Sequence, residues 1–455
     1  MKPILPTAAL GLSFLLAACA PTSVTEVAQR AATTSNLPPM KSFAARRGKP
    51  VLKSNAEIAR DFIDLSFQME SGRQLPFLTK FQGPIKVAVS SGAPANLEND
   101  LAQLMSRLRN EAGIDISRAR SGESAQIIIE AIPRKKLQKA VPQAACFVVP
   151  NVSGWAEFKK NRARGVTDWT KLTTRKRATV IIPSDVSPQE VRDCLHEEVA
   201  QALGPLNDLY RLPDSIFNDD NFHTVLTGFD MLILRAYYSP EMRNGMNRAQ
   251  ARAALPGLLA RLNPRGARTG MRAASATPQE WNRIIAASLA PRATPSKRAN
   301  LAAQAVNIAK NQGWRDNRLA FSLFVQGRVT LGQKPQLAIE SFVQSGEIYK
   351  SLYGASVQAA HVSTQLAAFA LSSAQYGTAI QIANEAIPAA QAGENAALLA
   401  TLLMIKAQAL EKTNRDAEAQ ATRLDALAWG RYGFGSDRNV RARLNEIRAL
   451  TPRRG

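Results

Sequence analysis

The C-terminal part of the chain repeats itself at a nearly constant spacing, which restricts it to a small set of folds. From about Ala299 onward it is rich in Ala, Leu and Gln. Three short blocks that contain Ala338, Ala379 and Ala419 each follow a polar or glycine-containing break, and these alanines lie 41 and 40 residues apart. A fixed period of this length predicts stacked helix pairs. A plain helical bundle with accidental spacing is the alternative.

The repeat resembles tetratricopeptide-like repeats, although its period is longer than the standard one. We therefore predict an all-α, tetratricopeptide-like helical-repeat domain over residues 299–455. The resemblance implies a concave scaffold, and a protein partner bound to the helical repeats is expected.

The preceding part, residues 55–246, mixes helical and strand patterns. Asn55 could cap an amphipathic helix, and a second apolar stripe at helical spacing runs from Leu97 to Leu108. Ser187 begins a capping box with proline at the first helical position, so a further helix should start there. Apolar runs predict strands at residues 85–89, 127–132, 146–149 and 178–182. The pattern predicts an α+β domain with a mixed sheet and a helix that carries the motif described next.

The most specific motif of the chain lies on that last predicted helix. Glu197, Glu198, Gln201, Gly204 and Asn207 have the spacing H-E-x-x-H-x-x-G-x-x-H/D. This spacing resembles the active-site helix of metzincin-type zinc proteases, in which two histidines and a third residue past a glycine bind the metal. The general-base glutamate and the glycine are present here, whereas no histidine occupies a ligand position. The resemblance implies a zincin-like fold more firmly than it implies a protease.

The residues at the ligand positions are poorly suited to zinc. Zinc hydrolysis needs compact donors that hold the ion tetrahedrally and leave one position open for water. Glu197, Gln201 and Asn207 offer one carboxylate and two amide oxygens. We therefore predict no metal and no cofactor. The alternative is a hard divalent cation, Ca²⁺, Mg²⁺ or Mn²⁺, bound by the oxygen atoms of Glu197, Glu198, Gln201, Asn207 and Asp208.

Histidine is too scarce for a conventional active site. The chain has three histidines, His196, His223 and His361, and the last of these lies in the repeat region. A three-histidine zinc site therefore cannot be built within residues 55–246. If the protein is an enzyme, Glu198 is the expected general base, with His196 or His223 as its partner in a metal-free variant. The missing ligands favour a protein that is not an enzyme.

An acidic stretch follows the motif helix. It contains Asp214, Asp219 and Asp220, together with Asn218 and Asn221. Such a stretch can form a cation-binding loop, but Asp and Asn also cap turns with their own side chains. The capped turn is the favoured interpretation.

The N-terminus has the pattern of an export signal. Lys2 gives a positive n-region, and residues 4–16 give an apolar h-region that is too short for a mature membrane span. The residues up to Cys19 resemble a bacterial lipobox, which implies cleavage after Ala18 and lipidation of Cys19. Ala20 after the cysteine favours the outer membrane, on the side that faces the periplasm. An ordinary signal peptide with a chance cysteine is the alternative.

These features divide the N-terminal region and set its redox environment. Residues 1–18 are predicted to be a lipoprotein signal peptide, and residues 19–54, rich in Ala, Thr, Ser and Pro, a flexible tether to the membrane lipid. The two remaining cysteines, Cys146 and Cys194, can pair in an oxidising compartment. Their disulfide would close a loop of roughly 50 residues and contribute about 3–4 kcal/mol. Two separately buried thiols are the alternative.

Positive charge is concentrated between the two domains. The chain has a net charge of +22, and residues 235–298 contain twelve Lys and Arg against two Glu. We predict a basic linker over residues 247–298. In an exported protein this charge is expected to face anionic envelope polymers or lipid rather than nucleic acid. A solvated linker without a partner is the alternative.

Several motifs together resemble one bacterial family, a group of lipoproteins known as domain of unknown function 2927. The motifs are residues 61–65, 70–73, 194–198, 201–204, 207–208 and 214–219. The resemblance covers roughly residues 55–246. It implies an envelope location and a zincin-like shape, but no activity.

Three functions are compatible with these patterns. The favoured one is a non-catalytic envelope lipoprotein in which a pseudo-metalloprotease domain and a helical-repeat scaffold bind protein partners. The second is a divergent hydrolase that acts on envelope peptides or cell-wall material with Glu198 as base. The third is a structural lipoprotein that binds anionic surfaces through its basic segment.

Overall fold

The computed structural model describes residues 37–44, 46–142, 144–268, 270, 275–290 and 292–452. Within them, a mixed α/β part is followed by a part made of many helices. The predicted signal peptide, residues 1–18, and the lipidation site Cys19 lie outside the described residues. None of the described helices combines the length and the apolarity that a membrane span requires.

A five-stranded mixed sheet forms the centre of the α/β part, with strand order β2-β1-β3-β5-β4. The strands are β1 Ile85–Val89, β2 Ile116–Arg118, β3 Ile127–Ile132, β4 Phe147–Pro150 and β5 Ala178–Pro183. The first four strands in this order are parallel, and β4 pairs antiparallel with β5 at one edge. All six residues of β5 are buried, as expected for a strand covered on both faces. The predicted mixed sheet is confirmed, and β2 is an additional strand.

Seven helices accompany the sheet. They are α1 Asn55–Ser66, α2 Leu97–Ala112, α3 Arg134–Ala140, α4 Trp155–Asn161, α5 Pro188–Leu203, α6 Gly228–Tyr237 and α7 Arg248–Leu262. Ser54, rather than Asn55, caps α1: its hydroxyl accepts a hydrogen bond from the Glu57 amide, and the Glu57 side chain accepts one from the Ser54 amide. Helix α5 is the predicted motif helix. It packs on β5, β4 and α2, which holds the motif against the sheet.

The described residues of the helical part form nine further helices. They are α8 Gln279–Leu289, α9 Pro295–Asn311, α10 Asn317–Thr330, α11 Pro335–Tyr353, α12 Val357–Ser372, α13 Tyr376–Ala392, α14 Ala396–Lys412, α15 Asp416–Phe434 and α16 Asp437–Ala449. Helices α11, α13 and α15 begin 41 and 40 residues apart, at the spacing found in the sequence, and α9 begins one period earlier. Consecutive helices pack on each other, and α12 also packs on α14. The second helices of the first three pairs, α10, α12 and α14, are the more deeply buried ones.

Two segments predicted to be linkers are folded instead. Helices α7 and α8 occupy much of residues 247–298, and α7 packs on α1 while Trp281 of α8 is fully buried. Within the predicted tether, residues 19–54, Phe43 is buried and its ring stacks on Trp429 at 4.5 Å between centroids, so this segment is packed against the protein there. In both segments, a few buried apolar side chains determine the packing although the composition is polar or basic.

The two parts share a hydrophobic core. Tyr210 and Phe222 come from the loop after α5, yet they belong to the core cluster of the helical part. Phe222 contacts Phe321 and Phe324 of α10, with ring centroids 5.7 and 5.3 Å away. The helical part therefore packs directly over the loop that follows the motif helix.

Candidate functional site

Helix α5 is fixed at both ends and along its length. The Ser187 hydroxyl accepts a hydrogen bond from the Glu190 amide at 3.2 Å, which caps the N-terminus. A disulfide joins Cys194, in the middle of α5, to Cys146 just before β4. At the C-terminus Gly204 has an extended φ of −167°, and the ring of Tyr237 lies where a side chain would begin. Glycine is required here for close packing rather than for a left-handed turn.

His196 points into the core and not into the site. Its Nδ1 accepts a hydrogen bond from the Leu226 amide at 3.1 Å, and the side chain is buried. Burial, with the charges of Arg192 and Arg107 in addition, lowers the pKa of His196 well below its usual value. The imidazole is therefore neutral and structural.

Glu197 and Glu198 lie side by side near the disulfide. One carboxylate oxygen of each, together with the Cys146 sulfur, lies within 4.8 Å of the others. Because that sulfur belongs to a disulfide, it offers no thiolate. Burial raises the pKa of Glu197 to about 8, and the negative charges of Glu70 and Asp219 add to the shift. Burial also raises the pKa of Glu198 well above its usual value, with Glu197 and Glu70 contributing.

The other two predicted ligand positions have protein partners. The Gln201 side-chain nitrogen donates to Asp208 Oδ2 at 3.4 Å. The Asn207 side-chain nitrogen donates to the Asp64 carbonyl at 2.9 Å, which holds the end of α1. Asn207 thus has a structural role, whereas Asp208 joins the carboxylates: burial raises its pKa, and so does a hydrogen bond with Glu70.

Sequence reasoning missed Glu70 as a member of the site and separated Asp219 from it. Glu70 lies in the turn after α1, and its amide donates to the Leu206 carbonyl at 3.3 Å, which brings the turn to the segment that carries Asp208. Asp219 belongs to the acidic stretch after α5, for which the sequence favoured a capped turn. That prediction holds for Asp220, whose carboxylate accepts hydrogen bonds from Asn218 and the Phe222 amide. Spacing along the chain could not show that Glu70 lies near α5.

A small cleft lies beside the carboxylates. Its volume is about 90 Å³, and its polar walls include Glu197, Asp219 and His223. A water molecule takes about 30 Å³ of liquid, and pockets for drug-sized ligands start at about 300 Å³. The cleft therefore has room for an ion with a few waters and not for a peptide segment.

Comparisons with known proteins support a family but give no function. Residues 55–257 match the model of a family described as "Protein of unknown function (DUF2927)". These residues form a DUF2927 domain. A comparison with curated proteins gives no match.

Among solved structures, the chain is similar to the crystal structure of BtubC (BKLC) from P. vanneervenii. The identity is 18%, the similarity covers 50% of this chain and 74% of that chain, and the TM-score is 0.28. At that TM-score the similarity carries no argument about fold or function.

The helical part covers the site side of the DUF2927 domain. Arg192 on α5 forms an ion pair with Glu394, between α13 and α14, and both side chains are buried. Gln189 at the start of α5 donates to Asn395 at 3.1 Å and accepts from the Ala397 amide at 2.8 Å. These contacts bury polar groups on both sides. The connection between α13 and α14 and the start of α14 therefore face the protein's own DUF2927 domain.

The loop that borders the cleft has its own link to the helical part. Gln358 of α12 donates to the Pro213 carbonyl, and its side chain lies next to His223. His223 in turn lines the cleft. One wall of the cleft is therefore held in position by α12.

Proposed function

We propose that the protein is an envelope lipoprotein whose zincin-like DUF2927 domain is non-catalytic and whose tetratricopeptide-like helical part is the scaffold that carries it. The observation behind this proposal is the state of Glu198, the expected general base. Its residue is 4% exposed, and the adjoining cleft is too small for a peptide. The order of strands and helices before α5 supports the zincin-like shape, and the period of about 40 residues supports the repeat.

The helices that contact the DUF2927 domain are not free to bind a protein partner. The inner helices α10, α12 and α14 contact the DUF2927 domain through Phe321, Gln358 and Asn395, among others. A partner would therefore bind the outer helices α11 and α13, which leave more of their residues exposed. The outer helices would then bind the partner, while the inner helices stabilise the DUF2927 domain.

Peptidase assays on the full chain test the lack of catalysis. Wild type and Glu198→Gln are incubated with peptide pools and cell-wall peptides, with and without added divalent metals. We expect both to remain at background. Activity in the wild type that falls by about 10²- to 10⁴-fold in Glu198→Gln, and not in the exposed control Glu446→Gln, would contradict the proposal.

The divergent hydrolase is the second candidate, and one observation favours it. Burial and neighbouring carboxylates raise the pKa of Glu197 and Glu198, and such shifts concentrate at active sites. Structural carboxylate clusters produce the same shifts, so the pKa values alone do not separate the two functions. The assay above does.

Membrane anchoring through Cys19 is part of the proposal and has a separate test. A lipidated cysteine would place the full chain in the membrane fraction after cell lysis. Cys19→Ser should shift the protein out of that fraction, and an unchanged distribution would exclude the lipid anchor.

A further inference from the structure

Five carboxylates from four separate segments meet next to helix α5. We call them the carboxylate cluster: Glu70, Glu197, Glu198, Asp208 and Asp219. Glu197 and Glu198 have oxygens within 4.8 Å of each other. Asp208 shares a hydrogen bond with Glu70, and the charge of Glu70 acts on Glu197, Glu198 and Asp219 as well. The cluster is therefore one electrostatic unit.

Two oxygens of the carboxylate cluster are buried without a partner. Among the described residues, neither Glu198 Oε2 nor Asp208 Oδ1 has a hydrogen-bond partner, and these residues are only 4% and 7% exposed. Buried carboxylate oxygens are almost always hydrogen-bonded, paired with a cation or bound to a metal. Both atoms belong to groups whose pKa is raised by the other carboxylates of the cluster, in addition to burial.

No basic side chain supplies a compensating positive charge. The ion pairs of the described residues join none of the five carboxylates to Lys or Arg. The nearby Arg211 is held by Asp61 and Asp64 instead. Hence the cluster must either hold protons or take a cation from solvent.

An ion can reach the carboxylate cluster from solvent. Glu70 and Asp219 are exposed at its outer side. Glu197 and Asp219 also line the cleft of about 90 Å³, where the amides of Asn218 and Asn221 supply further polar atoms. The space suits an ion that keeps some of its water.

We infer that the carboxylate cluster binds a hard divalent cation of the Ca²⁺ class. Carboxylate and water oxygens are the ligands that Ca²⁺ takes in flexible, multi-ligand geometry. Donors that favour zinc are largely occupied: His196 faces the core, Cys146 is in a disulfide, and the Nε2 of His223, which lines the cleft, is bonded to the Pro213 carbonyl. Glu197 and Glu198 have oxygens close enough to bind one ion together, and Glu70, Asp208 and Asp219 would reach it through bound water, so the cation would stabilise the DUF2927 domain.

This inference goes beyond the proposed function and does not depend on it. Elemental analysis of the full chain, purified without affinity-column metals, should show about one divalent cation per molecule. After chelation, Ca²⁺ at about 100 times its Kd should raise the Tm by about 3 °C. Calorimetric titration should give a single site, and Mg²⁺, Mn²⁺ and Zn²⁺ are titrated in parallel.

Two variants test the residues. Asp208→Asn and Glu198→Gln should each weaken Ca²⁺ binding by at least about tenfold, since each removes a charged ligand. Without cation their Tm should equal or exceed that of the wild type, because one mutually repelling carboxylate is gone. The control Glu446→Gln, in an exposed pair on α16, should bind like the wild type.

Three results would overturn the inference. They are an absence of any Ca²⁺, Mg²⁺ or Mn²⁺ response in the wild type, a response to Zn²⁺ alone, and a Ca²⁺ response that survives in both variants. A peptidase activity that depends on the bound cation would contradict the proposed function and would leave the cation site standing. The two proposals therefore fail on different measurements.

Discussion

At the scale of single residues, the titratable side chains near α5 are held in their neutral forms by burial. His196 and His223 both have lowered pKa values because they are buried, and each uses a ring nitrogen in a hydrogen bond to the backbone. Glu197 and Asp220 are shifted the opposite way, each to a pKa of about 8, mainly by burial. Folding therefore favours uncharged forms for bases and acids alike.

This arrangement predicts a stability that falls as the pH rises from about 6.5 to 8 in chelated protein. The folded-state pKa of Glu197 and of Asp220 lies near 8, above the ordinary values of 4.5 and 3.8, so the folded state holds more protons than the unfolded state in this range. The contribution of a raised pKa is complete below the ordinary value and is lost as the pH passes the folded value. Each such proton changes the free energy of unfolding by about 1.4 kcal/mol per pH unit at most.

Urea unfolding at several pH values between 6.5 and 8 measures this slope. The buried histidines oppose this slope near pH 6.5, where an unfolded histidine is about half protonated, and their contribution fades by about pH 7.5. Glu197→Gln should flatten the slope, and Glu446→Gln should leave it unchanged. A stability that is constant or rises over this range in the wild type would contradict the assignment.

At the scale of elements, close packing in the helical part depends on glycine where two helices meet. A side-chain carbon on Gly433 of α15 would lie 2.6 Å from the backbone nitrogen of Ala397 in α14. Gly377, in the first turn of α13, has open space around the same position. The two glycines therefore differ in what an added methyl group would meet.

Gly433→Ala should destabilise the protein by about 1–3 kcal/mol, because the α14 backbone must move away from α15. Gly377→Ala is the matched control and should be neutral or stabilising by up to about 1 kcal/mol, since alanine favours the helix. Denaturant unfolding of both variants gives the comparison. Equal stabilities would show that α14 and α15 are not packed as closely as described.

Patterns along the chain predicted most elements, but they could not predict which elements come together. Apolar runs gave four of the five strands to within one residue, and the apolar stripe gave the start of α2, which ends four residues beyond Leu108. Strand β2 has only three residues and no alternation to detect. The segment 247–298 was predicted to be a linker because charge dominates its composition. Its fold depends instead on the buried Leu255, Leu259 and Trp281.

The site shows the same limit. The motif spacing singled out Glu197 and Glu198, because helical geometry relates residues on one element. Asp208 lies beyond the end of α5 and was included only as the neighbour of Asn207. Glu70 is more than a hundred residues away in the chain and joins them through the Glu70–Leu206 backbone hydrogen bond and a side-chain hydrogen bond with Asp208. Contacts of this kind depend on tertiary packing, which no local pattern encodes.

At the scale of the whole molecule, one buried ion pair connects the two parts. Arg192 and Glu394 are 4% and 5% exposed in their side chains, and they join α5 to the connection between α13 and α14. Tyr432 of α15 adds a hydrogen bond of 3.0 Å to Asp100 of α2. With Phe222 in the aromatic cluster of the helical part, these contacts predict that the two parts unfold together.

Glu394→Gln should disrupt this coupling, because it leaves the buried Arg192 guanidinium without its carboxylate. Loss of one partner of a buried pair costs about 3–5 kcal/mol, whereas replacing both partners by apolar residues is often neutral. The double variant Arg192→Met/Glu394→Met should therefore be more stable than Glu394→Gln. Denaturant unfolding, followed by tryptophan fluorescence and circular dichroism, should show one transition in the wild type and two separated transitions in Glu394→Gln. If the single variant unfolds in one transition at the wild-type midpoint, the ion pair does not couple the two parts, and the aromatic cluster around Phe222 must account for their union.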